Sequence, residues 1–470
     1  MKGVKRKETR EKLKEFKAIC VLIRILKKYF PGLLEQLNSV NDPRNSSRTK
    51  YESDVIFFTR IIAAIFRLDS MRKLTAELND ENTILNVSKI LKKPDLDELP
   101  HFNTINNFLE KFDPKELQKI IQMMVKRLMK MPEFRQDLYR KKYWLVAIDG
   151  TQLYQTDEEH SEGALFKVHK NNDDTIKWVE YYYYIVEAKL VLTDKIVISV
   201  YTTFCRNDEN VTPYDETKTN EEEITDGETS GDDVISEEKL KQDCELKAFY
   251  RMAEELKKFF GNTSICMTMD SLYAGAPVFD IFRENNWKYI IRFKEGKIKS
   301  IATEFNKACS LKDKRPNYRE FIVDGGNEKY EYLNAVTYQG QNLNMVRYTE
   351  AGETHPFFFI TNLPINRKNC KDLVSRGRKR WKIENEGFNI QKNHGYALTH
   401  RFSMNYNAMQ NHYFLIQIAH AISQVYENLS IHTELKLALY RIHSLLKDAF
   451  KLLVVSEEEV QTVQSEKSEA

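Results

Sequence analysis

The chain has 470 residues, of which 41% are hydrophobic and 30% charged, with six cysteines and a formal net charge of +3. That length allows two to four domains around a large core. No apolar run approaches the ~20 residues of a membrane helix, no C-x-x-C pair suggests a zinc ribbon, and the apolar stretch Ile19–Leu26 contains Arg24 and has no small-residue cleavage site after it. A cytoplasmic protein with reduced thiols is expected. The net charge hides an imbalance: 207–238 holds 13 Asp or Glu against one Lys, a local −12 that leaves +15 on the remainder. A basic folded part suits a polyanionic partner.

Residues 1–140 read as a helical N-terminal domain. Asp113-Pro114-Lys115-Glu116 supplies a cap, a proline at the first helical position and a glutamate reaching back. Leu117, Ile120, Ile121, Met124 and Leu128 follow at helical spacing. The helix pair at 54–68 and 71–78 is either a packing unit or a DNA-reading one. From Tyr143 the pattern turns to strands at 143–148, 177–192 and 195–204, rich in Tyr, Val and Ile. The run Tyr181 to Tyr184 alternates between strand faces and needs no catalytic role.

The acidic segment 207–238 reads as a disordered loop. Helix is expected again at 239–260, then a strand at 264–269, a helix at 277–284 and a strand at 289–293, an alternation typical of α/β cores. Residues 297–370 read as a β-rich insertion with strands at 330–338, 344–348 and 357–361. The bend 366–369 leads into a helix carrying Glu384, and a helix at 405–427 closes the core. Residues 431–470 supply a C-terminal helix and a polar tail, frayed after Ser456.

Three acids draw attention. In the basic stretch Arg378-Lys379-Arg380-Trp381-Lys382-Ile383-Glu384-Asn385-Glu386, Arg380 and Glu384 share a helix face. They form either an ordinary surface ion pair or a carboxylate kept beside phosphate for Mg²⁺. Asp149-Gly150 taken alone is a hairpin-turn signal. Asp270 is a cap residue, or a group beyond the carboxyl end of a strand where ligand chemistry collects. Together they place one acid on a first strand, one after a fourth strand and one on a late helix. That is a ribonuclease H-like α/β arrangement, a mixed-sheet core formed by 141–296 and 371–430, carrying the insertion and preceded by the helical domain. Trp381 is expected to pack in the core, and no metal is assigned to His394 or His400.

Over Tyr143 to Tyr426 the chain resembles the DDE-class insertion-sequence transposases, whose last acid lies in a Tyr-x2-Arg-x3-Glu-x6-Lys signature. The resemblance is carried by Ala147-Ile148-Asp149-Gly150-Thr151, Met269-Asp270-Ser271-Leu272-Tyr273-Ala274, the stretch from Trp287 to Lys294, Phe359-Ile360-Thr361-Asn362-Leu363 and Arg380-Trp381-Lys382-Ile383-Glu384. It implies that Asp149, Asp270 and Glu384 are the catalytic, metal-binding acids, with Mg²⁺ or Mn²⁺ as cofactor. Arg380 matches the signature arginine, and Lys294, Arg376, Arg378, Lys379, Lys382 and Lys392 are further candidates to hold the DNA backbone. The partners implied are double-stranded DNA, both terminal inverted repeats and target, and a second copy of the chain in a synaptic homodimer. A bacterial, nucleoid-associated enzyme is implied, and no membrane. Gly377 stands where the signature has tyrosine, and Gln391 where it has lysine, with Lys392 one residue late. One residue turns a regular helix by about 100°, so Lys392 replaces the missing cation only if the helix is locally distorted. The rivals are a DNA-binding protein that has lost transposition, and a metal-dependent nuclease without a joining step.

Overall fold

The computed structural model describes residues 2–456 apart from 46, 48, 158–161, 174, 209–210, 212–241, 312–315, 353–354 and 432–438. Nearly all of the acidic segment, and the tail after Ser456, lie outside the described residues. The N-terminal region forms α1 (Lys2–Tyr29), α2 (Leu33–Asn38), α3 (Ser53–Ile65), α4 (Met71–Leu78), α5 (Glu81–Leu91), α6 (Phe102–Lys111), α7 (Pro114–Lys130) and α8 (Pro132–Arg135). There follow β1 (Trp144–Thr156), β2 (Leu165–Lys170), β3 (Ile176–Val191), β4 (Val197–Cys205), α9 (Glu245–Phe260), β5 (Ile265–Met269), α10 (Ala276–Glu284), β6 (Lys288–Arg292) and α11 (Lys299–Leu311). The chain then forms β7 (Tyr318–Val323), β8 (Glu328–Tyr338), β9 (Gln341–Glu350), β10 (Phe357–Thr361) and α12 (Cys370–Arg378). A π-helical turn, Ile383–Asn389, runs into α13 (Ile390–Asn393), and α14 (Tyr406–Val425) and α15 (Leu439–Leu452) complete the order.

α7 begins as its sequence dictates. The Asp113 carboxylate accepts from the Lys115 N–H at 3.0 Å, Pro114 opens the first turn, and the stripe from Leu117 to Leu128 is buried. All 13 residues of α3 are buried, so α3 is a packing element, while α4 buries only Met71, Leu74 and Leu78 and exposes Arg72 and Lys73. A helix apolar nearly all round belongs in a core, and α14, buried along almost its whole length, fills that place with α3, α6 and α7 packed against it. Among the described residues no helix is long and apolar enough to cross a membrane.

The described strands form one mixed sheet in the order β2-β3-β1-β5-β6-β10-β9-β8-β7, with β4 also paired to β3. β3 runs antiparallel to β1, while β1, β5 and β6 are parallel. The order β4-β3-β1-β5-β6 is therefore ribonuclease H-like. β7 to β10 continue the sheet antiparallel from β6, so the insertion extends the core sheet and forms no separate layer. The outer edge of β4 is sealed by side chains: Gln118 bonds the Val200 carbonyl and the Thr202 N–H at 3.0 Å each, and Gln424 takes the Val197 N–H at 2.6 Å. These amides satisfy a strand edge that would otherwise invite pairing.

The structure departs from the expectation at several elements. β1 does not turn at Asp149-Gly150; it runs on to Thr156, held by β3 through pairs such as Asp149 with Glu187 and Thr151 with Ile185. The helix expected from residue 239 starts at Glu245, because the Gln242 side chain is clipped to both the N–H and the carbonyl of Phe166 on β2. β2, β7 and α11 have no counterpart among the elements expected from the sequence.

Candidate active site

The sheet aligns the chemistry. Continuing the parallel registers Ala147 with Thr268 and Met269 with Ile291 brings Asp149, Asp270 and Arg292 level on three neighbouring strands. Glu187 lies across from Asp149, and Phe359 across from Arg292. Arg380 bridges the acids: its Nη1 lies 2.5 Å from Asp149 Oδ2 and its Nη2 3.5 Å from Glu384 Oε2. Asp270 ends β5 and accepts the Leu272 N–H at 2.7 Å, so it is both a cap and a strand-end acid.

Burial pushes the Asp149 carboxyl up to about 7, and the charges of Glu384, Glu245 and Asp270 add to the rise against the opposing pull of Arg380. Four carboxylates thus bear on one point. The fourth, Glu245, was not singled out in the sequence, where an acid opening a helix is explained by the dipole alone. In the fold its Oε2 accepts from the Tyr184 hydroxyl at 2.7 Å and its Oε1 from the Tyr273 hydroxyl at 2.8 Å. A Cβ on Gly150 would come within 2.6 Å of Glu245 Oε2, so the glycine after Asp149 makes room for this carboxylate. Arg292 likewise receives no role from the sequence, although it lies within the strand expected at 289–293.

The π turn reshapes the signature helix. A π turn takes up one residue more than an α turn and recurs at functional sites. Glu384 lies in its first turn and Lys392 just beyond it, and the Lys392 ammonium donates to the Thr151 hydroxyl at 2.6 Å. Gln391 is fully buried, bonded to Gln417 at 2.7 Å and His420 at 2.8 Å. Gly387 sits over the fully buried Lys189, whose Cε would lie 3.0 Å from a Cβ there. Lys189 pairs with Glu187 at 3.0 Å, while burial lowers its affinity for the proton. Gly377 is explained by packing as well: a Cβ would meet Phe359 at 2.7 Å and Ile290 at 2.8 Å, and its carbonyl accepts from the Thr268 hydroxyl at 3.1 Å. A tyrosine has no space in that position.

The other candidates divide. Glu386 faces Lys195 at 3.0 Å and Lys382 at 3.5 Å. Lys379 pairs with Asp194 at 3.0 Å. Arg376 is held by Asp372 and by the Asp137 carbonyl, each at 3.2 Å. Arg378 and Lys294 are exposed. Trp381 is 50% exposed, which corrects the expectation that it packs in the core. The structure therefore brings Asp149, Glu384, Arg380 and Lys392 together beside Asp270, and engages Arg376, Lys379 and Lys382 elsewhere.

The oxygen-only donor set of Asp149, Asp270 and Glu384 fits a hard divalent cation. Arg380 stands between two of these acids, and among the described residues no three of His, Cys, Asp or Glu are gathered into a metal cage. A divalent ion would have to displace the guanidinium.

Comparison with known proteins gives two family matches: residues 34–124 match the family described as DDE_Tnp_1-associated, and residues 245–422 the family described as Transposase DDE domain. The second match spans Glu245, Asp270, Arg380, Glu384 and Lys392 but not Asp149. No curated protein matches the chain. Among solved structures, a piggyBac transposase synaptic complex with hairpin DNA is similar over 95% of this chain and 84% of that chain, at 11% identity and a TM-score of 0.40.

Proposed function

We propose that the chain is a DDE-class transposase, a reading supported by the family matches over 34–124 and 245–422, and that it binds the ends of a DNA element, cuts them by metal-dependent phosphodiester hydrolysis and joins the freed 3′ ends to target DNA. The observation that carries this reading is the meeting of Asp149 and Glu384 on Arg380, beside Asp270 at the carboxyl ends of parallel strands. Mg²⁺ or Mn²⁺ held by the three acids would supply the activation of water or a 3′-OH and the neutralisation of the leaving oxygen. The rest falls to the chain's own groups. Asp149, Asp270 and Glu384 would hold the cation, with Asp149 ionised. Arg380, which bonds Asp149 and Glu384, would present its planar donors to a phosphate. Lys392 holds a second phosphate on the β1 face next to Asp149.

Residues 1–140 contribute to end binding, 141–296 with 371–430 form the catalytic core, and two copies of the chain hold two ends in the active complex. The test is a supercoiled plasmid carrying the gene's flanking DNA, incubated with protein and Mg²⁺. Excision and re-insertion are expected. Nicking alone would identify a nuclease, and unaltered plasmid a DNA-binding protein without transposition.

A further inference from the structure

Beside the acids, three guanidinium groups gather with too few carboxylates to match them. Arg292 and Arg378 lie on the ring of Phe357, at 4.5 and 4.7 Å from its centroid. Burial, and after it the charges of Arg380 and Arg378, lower the proton affinity of Arg292. Arg380 has Asp149 and Glu384, but no carboxylate pairs with Arg292 or Arg378 among the described residues. Arg292 Nη2 donates to the Pro356 carbonyl at 3.1 Å, whereas its Nη1 is enclosed and has no hydrogen-bond partner among the described residues. Solvated surface arginines carry no such orphan. A guanidinium stacked on an aromatic face keeps its in-plane N–H donors for another ligand. Like charges drawn together in a partly buried place repel, and an anion relieves both that repulsion and the orphaned donor.

We propose that Arg292 and Arg378 form a phosphate site for a DNA strand passing the active site, with Phe357 as the ring against which both guanidiniums pack. The site rests on the DNA-cutting function proposed above. Its position favours a phosphodiester over a free anion: Arg292 is level with Asp270 on the next parallel strand, a separation of about 4.8 Å between strands. Trp381, half-exposed and edge-on to Phe357 at 6.2 Å, offers an apolar flank to the sugar and base attached to that phosphate.

The experiment is fluorescence anisotropy of full-length protein with duplex and single-stranded oligonucleotides carrying the element end, in EDTA, over a salt series. Arg292→Gln and Arg378→Gln are each expected to weaken binding by roughly tenfold and to reduce the steepness of the log–log salt dependence by about 1, the signature of one lost phosphate contact. Arg292→Lys should restore the slope and only part of the affinity, since it returns the charge without the planar fork. Lys307→Gln, an exposed lysine on α11, is the control and should change neither. Because Arg378 is exposed, its variant keeps the test alive if Arg292→Gln folds poorly. Wild-type affinity and slope in both Gln variants would overturn the phosphate site while leaving the transposase reading intact. Weaker binding with an unchanged slope would overturn it too, as loss of packing. Absence of DNA binding by the wild type would sink the functional reading itself.

Discussion

The Lys392 ammonium meets the Thr151 hydroxyl at 2.6 Å, and Thr151 lies two residues beyond Asp149 on β1, hence on the same face of the sheet. In a regular helix a lysine eight residues after Glu384 would be rotated away from that face by about 80°. The π turn Ile383–Asn389 absorbs the additional residue, so the lysine that the sequence places one position late arrives on the Asp149 face of β1.

Lys392→Gln should therefore lower cleavage on the order of 10²-fold, the usual effect of losing one preorganised charge-stabilising donor. Adding Gln391→Lys should not restore it, because position 391 is enclosed by Gln417 and His420. Rescue by the second substitution, measured as cleavage of end-bearing DNA, would show that the helix is regular there and that the π turn is not what places the cation.

Glu384 and Glu386 separate by partner. Glu384 meets Arg380 and raises Asp149, whereas Glu386 meets Lys195 and Lys382. Glu384→Gln is expected to abolish strand cleavage on intact ends and strand transfer of pre-cut ends, while Glu386→Gln keeps a substantial part of both. The reverse order of activities would mean that the acid was assigned two residues out of register.

Asp149, Asp270 and Glu384 are each ambiguous alone in the sequence and stand out through their order along the chain and the resemblance that order carries; the structure brings Asp149 and Glu384 together on Arg380. What escaped was non-local. Glu245 looks like any helix-opening acid until Tyr184 and Tyr273 converge on it from distant segments. The continuation of β1 past Asp149-Gly150 is decided by pairing with β3, which overrides the local turn signal. The π turn leaves no propensity signal, because it is set by Gly387 seating on Lys189 and by Gln391 locking into a buried amide network. Trp381 reads as core material by composition, yet the short link between α12 and the π turn leaves it half in solvent.

Gly377→Ala tests why the signature tyrosine is absent. The added methyl would meet Phe359 and Ile290 at 2.7 and 2.8 Å, and the backbone there is tied down by the Thr268 hydroxyl. Overpacking of this kind costs about 1–3 kcal/mol, which urea unfolding should read as a lower midpoint at unchanged slope. A neutral result would show that α12 lifts from the sheet without strain.

Glu245→Gln keeps the shape of the side chain, with its amide oxygen accepting from one tyrosine hydroxyl and its amide N–H donating to the other once that hydroxyl turns, while removing one of the charges that face Asp149. Groups that support metal ligands in this way typically change metal affinity by roughly 10- to 100-fold. Weakened Mn²⁺ binding by electron paramagnetic resonance, with unchanged DNA affinity, is the expected result. Wild-type Mn²⁺ binding would reduce Glu245 to a helix-opening acid.

The pH dependence of the metal-free protein follows from Asp149. Its folded carboxyl is pushed up to about 7 from 3.8, so between those limits the folded state holds a proton that the unfolded chain has released. Stability contributed by this group is present at low pH and is lost as pH rises through 7, the opposite of a salt-bridged carboxylate. Asn cannot ionise and escapes the penalty. In EDTA at pH 8, Asp149→Asn should be more stable than the wild type, by up to about 4 kcal/mol for a carboxyl raised that far and by less where loss of the Arg380 pair offsets it. The difference should vanish near pH 4. Saturating Mn²⁺ should reverse the order, since only the wild type retains the full donor set. Thermal unfolding across this pH range, with and without Mn²⁺, reads both effects. An Asn variant less stable than the wild type at pH 8 in EDTA would show that the Arg380 pair, and not the crowding of four carboxylates, dominates the energetics of the site.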